Sequence, residues 1–147
     1  MHRGLNGRFF AALALVTMSL VAQAQGVAIE SAQVRMVPPG QAVTAAFFTL
    51  KNLGSSERVL TAAYCRAAAT VEIHQHITQD GIMKMRRLSQ LQIPGGAEIE
   101  FKPGGFHLML IGLDRSLVLN ETINLELEFK NGERVAFSAT VQMVGAH

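Results

Sequence analysis

Turn-forming residues recur about every 8–12 positions through residues 27–144, the spacing of an all-β chain with short strands. The clearest breaks are Pro38-Pro39-Gly40, Asn52-Leu53-Gly54-Ser55-Ser56, Gln79-Asp80-Gly81, Pro94-Gly95-Gly96, Lys102-Pro103-Gly104-Gly105 and Asn131-Gly132. Asp-Gly and Asn-Gly accept positive φ and favour tight hairpins. Between the breaks the apolar residues tend to alternate, with no run of helical period. The pattern is clearest at Ile123, Leu125, Leu127 and Phe129, with Asn124, Glu126, Glu128 and Lys130 on the opposite face. Val135, Phe137, Ala139, Val141 and Met143 repeat it after the last turn. The expected strands are 27–37, 43–51, 58–65, 70–77, 82–88, 98–101, 106–112, 120–130 and 133–144. Eight or nine short strands predict a Greek-key β-sandwich or barrel with one core.

The first two dozen residues read differently. Arg3 and Arg8 stand without an acid, an apolar run follows from Phe9 to Val21, and Ala22-Gln23-Ala24 offers small residues at a cleavage site. That order is a secretory signal. The apolar run is shorter than the roughly 20 residues that span a bilayer. Residues 1–24 are expected to be a signal peptide cleaved after Ala24, and residues 25–147 a single β-domain outside the cytoplasm, without a membrane span.

Cleavage also settles the charge. The whole chain has 13 Lys+Arg against 11 Asp+Glu, a formal +2. Removing Arg3 and Arg8 leaves 11 against 11, so the exported part is neutral. The basic balance belongs to the leader and gives no argument for nucleic acid. One cysteine, Cys65, excludes an intrachain disulfide.

The chemistry lies in the placement of His and Met. Beyond the leader the histidines are His74, His76, His107 and His147, and the methionines Met36, Met83, Met85, Met109 and Met143. Six of these form three i, i+2 pairs: His74/His76, Met83/Met85 and His107/Met109. Alternate strand residues share a face, so each pair points one way. The first two pairs flank Gln79-Asp80-Gly81 and belong to one hairpin. Neutral imidazole and thioether donors without carboxylate suit Cu(I) better than Zn, Ca or Mg. Taken singly, a strand Met is usually core filler and a lone His a hydrogen-bonded surface residue. The residues alone leave both readings open.

The spacing His74-x10-Met85-x21-His107-x-Met109 resembles the ligand motif of the periplasmic copper chaperones called PCuAC. The flanks are similar too: Met36-Val37-Pro38-Pro39-Gly40-Gln41, Ala45-Ala46-Phe47, Leu50-Lys51-Asn52, Val71-Glu72-Ile73-His74, Asp80 to Arg86, and Lys102 to Leu110. The resemblance implies a cupredoxin-like β-fold. It implies Cu(I) bound by His74, Met85, His107 and Met109. It also implies delivery of copper to cytochrome c oxidase assembly, with a CuA subunit or a Sco-type protein as acceptor. His76 departs from the family pattern, where many members have Met, and His76 and Met83 are candidate additional ligands. Many members carry a His/Met-rich tail. Here only His147 follows Met143, so a strong tail site is not expected, and Met143 with His147 is left open as a weak one.

Other chemistries fit poorly. A blue-copper carrier needs a His2Cys set, and Cys65 has no ligand neighbours in Tyr64 and Arg66. No Gly-x-Ser-x-Gly, carboxylate pair with His, or Cys–His signature supports an enzyme. A monomer is expected. The competing reading is a β-sandwich module for a protein or polysaccharide, its His/Met cluster incidental.

Overall fold

A computed structural model describes residues 26–145. The expected leader, residues 1–24, lies outside them, as does His147. Ten strands and no helix fill the described chain: β1 Val27–Arg35, β2 Val43–Asn52, β3 Arg58–Cys65, β4 Ala68–Gln79, β5 Ile82–Leu88, β6 Leu91–Ile93, β7 Glu98–Phe101, β8 Phe106–Leu113, β9 Thr122–Phe129 and β10 Arg134–Gln142.

Pairing runs β5-β4-β8-β7-β2-β1-β10-β9-β3-β6, and β4 also pairs with β3. Strands β4, β8, β7, β2, β1, β10, β9 and β3 therefore close an eight-stranded barrel, with β5 and β6 appended at its edges. β1–β10 and β7–β8 are the parallel contacts. This is the all-β class read from the turn spacing.

The alternation in the sequence marks the barrel interior. Ile123, Leu125, Leu127 and Phe129 of β9 are buried, as are Val135, Ala139 and Val141 of β10. They join Phe48, Leu50, Leu60, Phe101, Leu108 and Leu110 in one apolar cluster. Met143 departs from the expectation: it lies past the end of β10 and is 78% exposed. The tenth strand, β6, has three residues, too short for a local pattern to mark. It is added by pairing with Arg58, Val59 and Leu60 of β3.

β2 is buried on both faces. Ala46, Phe48 and Leu50 enter the core cluster. Ala45 and Phe47 point to the other face and are buried there as well. Over Phe47 the cover includes the His107 ring and the Arg35 guanidinium.

Candidate metal centre

β4 carries Glu72, His74 and His76 on the face opposite its core residue Ile73. Asp80 (φ 52°) and Gly81 (φ 73°) then turn the chain directly into β5. Two consecutive positive φ values make the primed turn that matches strand twist. The turn sets the register: His76 opposes Met85, Thr78 opposes Met83, and His74 opposes Arg87. On its other side β4 pairs with β8, placing His74 opposite His107 and Glu72 opposite Met109. Met109 in turn opposes Ala45 of β2. Directly opposed residues share a face. All six His and Met residues of the three sequence pairs therefore stand on one outer face of the barrel.

The turn before β8 locks this arrangement. Pro103 and Gly104 (φ 79°) form a turn closed by Gly105 N–H donating to the Lys102 carbonyl at 3.0 Å. The Gly105 carbonyl accepts the backbone N–H of His76 at 3.1 Å and faces His107 Nδ1 at 3.2 Å. A carbonyl only accepts, so Nδ1 of His107 carries the proton and Nε2 keeps its lone pair.

The face grades from buried to open. His107 is 2% exposed, whereas Met85 is 49% and Met83 59% exposed on the edge strand. The His107 ring centroid lies 5.0 Å from that of His76, 5.6 Å from that of His74 and 6.4 Å from that of Phe47. An open cavity of about 410 Å³ is lined by His76, Met83, Met85, His107 and Met109, with Ala45 and Phe47 also in its wall. His74 is not in that lining. Its Nε2 is bound at 2.8 Å to the Glu72 carboxylate. Arg35 stands in the cavity wall with its guanidinium 5.1 Å over the Phe47 ring.

The electrostatics keep His107 in its metal-binding form. Burial pushes the His107 pKa below the usual imidazole value, and the nearby His76, His74 and Arg35 add in the same direction. The Gly105 carbonyl opposes them. His74 Nδ1 and His76 Nδ1 are buried without a hydrogen-bond partner. A buried orphan nitrogen costs free energy that a bound cation would recover. Among the described residues no group of three His, Cys, Asp or Glu side chains is arranged to hold a metal. A metal here therefore needs thioethers, and Met83, Met85 and Met109 line the cavity with His76 and His107.

Cys65 sits apart at the end of β3, its thiol pKa raised by burial. Met143 is outside the cluster. Sequence reasoning assigned no role to Glu72, Phe47 or Arg35. Glu72 was within reach of it, since i and i+2 on a strand share a face and a carboxylate beside His74 invites a hydrogen bond. Phe47 and Arg35 reach the site only through non-local pairing.

Comparisons with known proteins agree with the fold. The family model described as "Putative lipoprotein LpqE-like" matches residues 27–141. A protein of Leifsonia xyli subsp. xyli named "Putative lipoprotein Lxx21020" is 35% identical over 111 residues, 75% of this chain. The match spans 66% of that relative's length, just under two thirds. The solution structure of CuI-DR1885 from Deinococcus radiodurans aligns with TM-score 0.65 and 31% identity over 83% of each chain. The copper-bound PCuAC domain from PmoF2 aligns with TM-score 0.68 over 80% of this chain and 92% of that one. At 17% identity the latter is a likeness of fold. Among the described residues no helix is long and apolar enough to cross a membrane.

Proposed function

The chain belongs to the LpqE-like family, and from that premise we propose that it is an exported Cu(I)-binding metallochaperone. One observation carries the reading. Three strands line one open cavity with His76, His107, Met83, Met85 and Met109, His74 stands opposite His107, and the Nδ1 atoms of His74 and His76 are buried without a hydrogen-bond partner. The likeness to CuI-DR1885 at 31% identity supports the choice of metal. In this reading His74, Met85, His107 and Met109 hold the ion, and His76 and Met83 stand beside it as additional donors.

Cu(I) is the cargo, and its oxidation state is unchanged throughout. His107 is the fixed end of the site: its ring is buried and its Nδ1 proton is held by Gly105, which leaves the Nε2 lone pair free for a metal. Met85 is the labile end, exposed on an edge strand and able to swing aside. An acceptor's donor atom enters through the open cavity, displaces the exposed thioether first, and takes the ion by shared coordination. No covalent bond within a substrate is made or broken, so the role is binding and delivery rather than catalysis.

In this reading residues 1–24 are a signal peptide cleaved after Ala24, and the work is done in the periplasm. The acceptor is a CuA-bearing cytochrome c oxidase subunit or a Sco-type thiol protein. The test is transfer: Cu(I)-loaded protein is mixed with apo CuA domain or apo Sco-type protein, and the copper on each is measured after separation. Copper should move to one of them. Retention by the loaded protein in both mixtures would remove the delivery role.

A further inference from the structure

We infer that Glu72 is the positioning residue of the metal site, fixing His74 in the tautomer and orientation that present Nδ1 to the ion. The Glu72 side chain is only 18% exposed and both of its oxygens are engaged. Oε2 accepts from His74 Nε2 at 2.8 Å. Oε1 pairs with Arg87 Nη1 at 3.2 Å. Arg87 stands on β5 directly opposite His74, so the carboxylate is anchored from the strand next to the ring it holds.

The chemistry follows from the two nitrogens of neutral imidazole, one a donor and the other an acceptor. A carboxylate only accepts, so Nε2 bears the proton. The lone pair is left on Nδ1, which is buried and has no partner. A ligating histidine commonly gives its other N–H to a carboxylate, which fixes the ring and strengthens it as a donor. Glu72 supplies that contact here. The arrangement mirrors His107 with the nitrogens exchanged: there the Gly105 carbonyl holds Nδ1 and frees Nε2. Each imidazole is thus pinned through one nitrogen by an acceptor of this chain.

The metal part of the inference rests on the reading of His74 as a Cu(I) ligand; the tautomer part does not. The test separates them. Long-range proton–nitrogen NMR on apo protein labelled at histidine nitrogen reads the His74 tautomer without copper, and a Cu(I) competition titration reads affinity. Wild type should show a single Nε2–H tautomer at His74. Glu72→Ala should show mixed tautomers and bind Cu(I) about 10–100-fold more weakly, the usual loss for such a partner. Glu72→Gln keeps an oxygen acceptor for Nε2–H and should retain the tautomer and most of the affinity, which also answers a Glu72→Ala variant that fails to fold. An unchanged tautomer in Glu72→Ala, or wild-type affinity despite a changed one, would overturn the inference. If wild type itself takes up no Cu(I), the copper reading falls, and the apo tautomer still decides whether Glu72 positions His74.

Discussion

His76 and His107 hang from one acceptor. The Gly105 carbonyl takes the backbone N–H of His76 at 3.1 Å and the side-chain Nδ1–H of His107 at 3.2 Å, with the two rings 5.0 Å apart. A single carbonyl, set by the Pro103–Gly104 turn, therefore fixes a strand register and an imidazole orientation together.

That dependence makes Gly104 a structural test of the site. Its φ of 79° is unfavourable for a residue with Cβ, although open space surrounds the position. Gly104→Ala should lower unfolding free energy by about 1 kcal/mol through backbone strain alone. It should also weaken Cu(I) binding by shifting Gly105. Urea unfolding and a Cu(I) titration on the same variant check both. Unaltered stability would mean that the turn relaxes without strain.

The paired histidines of β4 should be unequal. His74→Ala should lower Cu(I) affinity by about tenfold or more, a step of about 1.4 kcal/mol. His76→Ala should lower it less, because His76 is the additional donor at the cavity wall. Competition titrations of the two variants decide. A larger loss for His76→Ala would move the ligand role from His74 to His76.

Acid should release the metal. Protons compete for imidazole lone pairs, so affinity should fall as pH drops below about 6.5, the ordinary imidazole value. His107 resists protonation to lower pH, because burial holds its pKa below that value. The sign for folding is the same. With a folded pKa depressed below the unfolded one, the His107 contribution to stability is present above about 6.5 and lost as pH falls through its lower folded value. Cu(I) titrations and urea midpoints between about pH 7.5 and about pH 5 check both trends. A flat affinity would assign the ion to the thioethers alone.

Much of the barrel was legible because burial imposes a period of two. The alternation at Ile123, Leu125, Leu127 and Phe129 maps directly onto the core. β6 was not legible, since three residues carry no period and its pairing with β3 is non-local. Nor was the exposure of Met143, which continues the β10 alternation past the end of the strand. At the site, the i, i+2 spacing placed each His or Met pair on one face, and Asp80-Gly81 joined two of the pairs. The neighbourhood of β4 and β8, which opposes His74 to His107, depends on strand order that no local pattern encodes. Ring orientation is further removed still: the hold of Glu72 on His74 and the burial of His107 against Phe47 emerge only from packed side chains.

The central claim is that this face binds Cu(I) through its imidazoles and thioethers. Its most direct test is a Cu(I) competition titration under reducing conditions, comparing wild type with His107→Ala/Met109→Ala. The prediction is one Cu(I) per chain in wild type and a loss of at least about a hundredfold in affinity in the double variant, two tenfold steps for two donors. Wild-type affinity in the double variant would contradict it.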